Sequence, residues 1–99
     1  MTSITKLLTD LENDFSIDKY FETKNIINNK WDNSLEELSA EYDESHNDLL
    51  DEDIPFSSLN KFLDLMNNNY NKFVNQINVI YKNYLNKLDK IYFNWKSKN

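Results

Sequence analysis

SSLNKFLDLMNNNYNKFVNQINVIYKNYLNKLDKIYFNWK, running from Ser57 to Lys96, is the stretch that decides the fold. Within it Leu59, Leu63, Met66, Tyr70, Phe73, Ile77, Ile80 and Tyr84 are spaced 4, 3, 4, 3, 4, 3, 4. Apolar residues recurring every three and four positions share one side of an α-helix and offer a seam to another helix. Beyond Tyr84 the seam shifts by one residue and continues through Leu88, Ile91 and Trp95, a stutter that locally relaxes supercoiling. Phe62, Val74, Tyr81, Leu85 and Tyr92 widen the stripe, which suits a bundle better than an isolated two-stranded coil. The Asn67-Asn68-Asn69 triplet is poor helix material, but the phase survives it, so the spacing predicts one helix over 57–96.

Such a helix would be roughly 60 Å long at ~1.5 Å per residue. A compact chain of this size has a radius of gyration of about 13 Å. Three arrangements reconcile the two. Shorter N-terminal helices lie end to end along the long one, or two copies pack together, or the helix breaks at Asn67–Asn69 to give a four-helix bundle.

Working back from this helix, Pro55 biases Ile54 away from helical angles, and the acidic run Asp51-Glu52-Asp53 marks a connection over 47–56. Ser57 or Ser58 is the expected cap of the last helix. Ser34 with Glu37 has capping-box spacing, ahead of Leu35, Leu38 and Tyr42. Asn28, Asn29, Asp32 and Asn33 weaken the helix around Trp31, so a kink or short break is expected between helices over 16–30 and 34–47, the alternative being one helix unbroken from Ser16 to about His46. Ser16 is the expected N-cap of the helix over 16–30, with Asp18 in its first turn and Ile17, Tyr20, Phe21, Ile27 and Trp31 on its apolar face. A first helix over 3–14 carries Ile4, Leu7, Leu8 and Leu11, with Phe15 closing the stripe. The expected fold is all-α: a small bundle of three to four helices with a long C-terminal heptad-patterned helix, in one domain over 1–99.

Composition narrows the chemistry. The 99 residues contain no Cys, so disulfides, zinc–thiolate sites and thiol nucleophiles are excluded. They contain no Gly, so phosphate-cradling loops and nucleophile elbows cannot be built in the usual way. Six Phe, six Tyr and two Trp supply burial that a 39% apolar fraction alone would not. The acids Asp10, Glu12 and Asp14 argue against a signal peptide, and no apolar run approaches the ~18–20 residues of a membrane span. Richness in Asn, Lys, Ile and Tyr is the mark of a low-GC genome. A cytoplasmic bacterial or phage-encoded protein is expected, with no membrane association.

Charge is the one feature that points outward. From Trp31 to Asn60 there are ten acidic residues and no Lys or Arg, while the rest of the chain is net positive by four. Blocks of like charge repel themselves and commonly serve as interaction surfaces. The block can be a solvated face, can neutralise the lysine-rich last helix within the same fold, or can meet a basic partner.

Catalytic and metal chemistry find little support. The lone histidine, His46, reads as a solvated surface residue; Asp43-x-x-His46 has metal-ligand spacing but no second such motif accompanies it. An EF-hand counted from Asp43 puts Asp48 where Gly is needed and Ile54 where Glu is needed, so it fails. Lys82, Lys87, Lys90, Lys96 and Lys98 alternate with aromatics, as on strand-binding surfaces, but those aromatics belong to the seam. Direct nucleic-acid binding is disfavoured, and no enzyme activity, cofactor or metal is expected.

The functional expectation is a non-enzymatic acidic interaction protein of the inhibitor, immunity or phage anti-defence type, blocking a basic, nucleic-acid-binding protein surface by charge mimicry. Glu36, Glu37, Glu41, Asp43, Glu44, Asp48, Asp51, Glu52 and Asp53 form its expected partner face. Leu59, Leu63, Met66, Tyr70, Phe73, Ile77, Ile80, Tyr84, Leu88, Ile91 and Trp95 form its core or oligomer seam. The alternative is a coiled-coil structural or assembly subunit that pairs through its C-terminal helix, as a homodimer or with another helix.

Overall fold

A computed structural model describes residues 3–99. Three helices, α1 (Ile4–Asn13), α2 (Ile17–Asp51) and α3 (Phe56–Lys98), account for nearly all of it, and the described residues contain no strand. The protein is all-α and elongated, 66 × 22 × 15 Å, with a radius of gyration of 19.6 Å. Its length is that of α3 itself, whose 43 residues at ~1.5 Å each span about 65 Å.

α2 runs back along α3 as its antiparallel partner. Tyr20 meets Asp89 near one end, Trp31 meets Asn78 in the middle, and Tyr42 packs on Tyr70 toward the other. α1 is short and touches both long helices at the end where α3 terminates. That end is therefore three helices thick and the other only two. All the buried apolar residues belong to the three-helix end: Ile4, Leu8 and Leu11 of α1, Tyr20 and Ile27 of α2, and Leu88 of α3. Phe15, in the α1–α2 turn, stacks on Trp95 with ring centroids 4.5 Å apart and pins the turn to the end of α3.

Local chemistry accounts for the helix starts. The Ser3 and Ser16 hydroxyls accept from the amides of Lys6 and Lys19, each three residues on, and Asp18 lies in the first turn of α2 as expected. α3 departs from expectation. It begins at Phe56 with Pro55 as its N-cap, in an extended conformation at φ −54° and ψ 140°, and neither Ser57 nor Ser58 supplies a cap.

The expected break near Trp31 does not occur, for α2 is one helix of 35 residues. The Trp31 indole N–H donates to Asn78 Oδ1 at 2.9 Å, and its ring lies parallel to Tyr81. Ser34 does not restart a helix. Its hydroxyl donates to the Lys30 carbonyl one turn back at 2.8 Å, which commits its proton, so Tyr81 is the donor in the 3.1 Å contact between the two hydroxyls. This clasp between helices outweighs the weak propensity of the flanking Asn residues, each a deficit of well under 1 kcal/mol. α3 likewise passes through Asn67–Asn69 without interruption. The acidic connection narrows to Glu52–Pro55, because α2 persists to Asp51. No described helix is long and apolar enough to cross a membrane.

Candidate interaction surface

The partner face expected from sequence lies on α2 and the turn after it. Glu36, Glu37, Glu41, Asp43, Glu44, Asp48, Asp51, Glu52 and Asp53 are all exposed. The inner face of α2 is taken by Trp31, Leu35, Leu38, Tyr42 and Leu49, so these carboxylates cover the remainder of its circumference. Glu37, Glu41, Glu44 and Asp48, spaced 4, 3, 4, share one stripe, while Glu36 and Asp43 stand on another side.

The antiparallel register decides where this charge goes. Residues 31–77 hold eleven carboxylates against Lys61 and Lys72, a net −9; the rest of the chain holds six against nine lysines, a net +3. Opposite the acids stands the first half of α3, not the lysines of its second half. Internal neutralisation is accordingly not made: the ion pair among the described residues is Lys19–Asp14 at 3.8 Å, near the α1–α2 turn. No group of three His, Asp or Glu side chains converges among the described residues. His46 is half-buried beside Tyr42, ring centroids 6.0 Å apart, and is not the solvated residue expected. It follows Tyr42 by one turn and so falls on the inner side of α2.

Across the hairpin, Leu59, Leu63, Met66, Tyr70, Ile77, Tyr84, Ile91 and Trp95 are half-buried and Leu88 fully buried. Phe73 and Ile80 differ from the rest of the expected seam: they are 48% and 50% exposed, and Val74 and Tyr81 occupy the inward places beside them. The stripe on α3 is wide enough to hold two rows, and α2 packs on only one. Phe62 and Leu65, 48% and 59% exposed, extend the outer row. Phe62 was legible as a flanking residue. Leu65 lies three residues after Phe62 and four before Asn69, a spacing that makes it a member of the row.

Between the two helices, Leu38, Glu41, Tyr42, Ser45, Met66, Asn69, Tyr70 and Phe73 line an open groove. On α2 Glu41 is its one carboxylate, beside Leu38, Tyr42 and Ser45, and on α3 it is mainly apolar, with Met66, Tyr70 and Phe73 around Asn69. At the three-helix end, the aromatics alternating with lysines face largely inward: Tyr81, Tyr84, Tyr92 and Trp95 are half-buried, leaving Phe93 exposed. Compared with known proteins, the chain matches no family model, no curated protein and no solved structure.

Proposed function

We propose that this chain is a non-enzymatic interaction protein whose acidic helical face binds and occludes a basic protein surface. One observation carries the reading: the eleven carboxylates of residues 31–77 are gathered at one end of an elongated molecule, those of α2 are exposed, and none is drawn into an ion pair with the chain's own lysines. Unpaired like charge at this density destabilises the fold that carries it and favours an oppositely charged partner. Carboxylates on successive helical turns would occupy lysine and arginine positions that otherwise grip phosphate. An inhibitor, immunity or anti-defence role in a bacterium or phage is the biological setting that fits such occlusion.

The test is charge reversal. Glu41→Lys with Glu44→Lys is expected to leave far-UV circular dichroism unchanged and to abolish capture of basic partner proteins from host extract. Capture that persists unchanged places the binding site elsewhere. The outer apolar row of α3 favours a second reading, assembly through helix pairing. Light scattering separates the two, because a salt-insensitive dimer speaks for assembly and a salt-sensitive heterocomplex for charge recognition.

A further inference from the structure

The two-helix half of the molecule is an incomplete bundle, and what it lacks can be described. At the other end α1 lies in the furrow between the long helices. The clefts along its two sides are shared with Lys19, Thr23 and Ile26 on α2, and with Lys87, Lys90 and Ile91 on α3. On α3, Phe73 and Ile80 stand two heptads and one heptad before Lys87, and Phe62 and Asn69 stand four and three before Lys90. On α2, Glu37 and Glu44 stand two and three heptads after Thr23. A straight α-helix drifts by about 20° per heptad, so these positions lie on the same side of their helix as the residues around α1, to within about a quarter turn. The open groove is thus the continuation of the furrow that α1 fills, with its third helix missing.

The walls specify the occupant. On α3 Phe73 lines the groove itself, and Phe62, Leu65 and Ile80 extend the outer row beyond it, each about half exposed or more. α2 offers the stripe Glu37, Glu41, Glu44 and Asp48. The last turn of α2 has no basic residue and carries Asp48 and Asp51, although carboxylates oppose the macrodipole at a helix C-terminus. A cationic neighbour relieves both the repulsion and the dipole. A second copy in the same groove would bring two net-negative halves together.

We infer that the groove between α2 and the outer row of α3 binds a basic amphipathic helix of a partner protein, laid along the line of α1. Its apolar side packs on Phe62, Leu65, Phe73 and Ile80, and its lysines or arginines flank the carboxylates of α2. The inference rests on the acidic-face reading above and gives it a shape: a helix in a groove, not a flat charge contact.

The stretch from Phe62 to Ile80 is about 27 Å of helix, so a synthetic peptide of roughly 20 residues spans it. The probe is a labelled leucine–lysine peptide with its leucines on one helical face. Its control is the same composition scrambled so that no apolar face forms. The wild-type chain is expected to bind the amphipathic peptide at least about tenfold more tightly, a preference of ~1.4 kcal/mol. Phe73→Ser with Ile80→Ser is expected to erase that preference, and Glu37→Lys with Glu44→Lys to weaken both peptides. Circular dichroism verifies folding, and Phe62→Ser with Leu65→Ser replaces the first pair if it loses helicity. Equal binding of both peptides, weakened by charge reversal, overturns the groove and leaves the acidic face standing. Binding indifferent to charge reversal overturns both, and no binding of either peptide overturns the groove. A wild-type dimer that the Phe73→Ser, Ile80→Ser pair dissolves assigns the groove to a second copy and overturns the basic helix.

Discussion

Tyr20 illustrates how a single side chain ties the ends of the fold together. It is buried among Phe15, Phe21 and Tyr92, and its hydroxyl donates to Asp89 Oδ1 at 3.2 Å across the α2–α3 interface. Burial, and then the hydrogen bond and charge of Asp89, raise its pKa above the ordinary tyrosine value. A group with a raised folded-state pKa contributes stability that is complete below its unfolded value, about 10, and is lost as pH climbs through the folded one. Tyr20→Phe is expected to cost about 1 kcal/mol at pH 7 through the lost hydrogen bond. It is also expected to lessen the decline in stability above pH 10, measured by urea unfolding at both pH values. An alkaline decline of the same size in wild type and variant would contradict this role.

At the scale of the element, α3 is a helix with two apolar rows and, along its first half, one partner. Ile77 belongs to the row that α2 covers and Phe73 to the row that it does not. Ile77→Asp is therefore expected to cost about 3 kcal/mol or to unfold the hairpin, because it sets a charge between packed helices. Phe73→Asp is expected to cost less than about 1 kcal/mol and to stay helical. Thermal melts followed at 222 nm distinguish them, and equal losses would mean that both rows are covered. From sequence alone the two residues were equivalent members of one seam. The distinction depends on where α2 lies, and that is fixed by contacts such as Trp31–Asn78 between residues far apart in the chain. The same distance hid the continuity of α2 at Trp31, since Asn28, Asn29 and Asn33 speak against a helix locally. What depends on neighbours was legible: the Ser16 cap, Asp18 behind it, and the Ile4–Leu8–Leu11 face of α1. The acidic residues were legible as charge, but their apolar opposite wall was not, because only the antiparallel register sets Glu41 across from Phe73.

The whole molecule is unevenly held. Among the described residues every buried apolar side chain lies where three helices meet, and none lies in the two-helix half. Local opening is easiest where few apolar contacts are made. Amides of residues 38–48 and 63–73 are therefore expected to exchange with deuterium at least about tenfold faster than those around Ile27 and Leu88. Mass-spectrometric exchange reads this directly, and uniform protection along α3 would contradict it. A partner helix in the groove should slow exchange in that half selectively.

The separation of charge along the long axis has a consequence in screening. At physiological ionic strength the Debye length is about 8 Å, a small fraction of the 66 Å that the molecule spans. Its two ends are therefore electrically almost independent. A macromolecule approaching the hairpin meets a body of net charge −9, not the −6 of the whole chain. One approaching the other end meets +3. With respect to charge, the chain behaves as two particles of opposite sign on one rod.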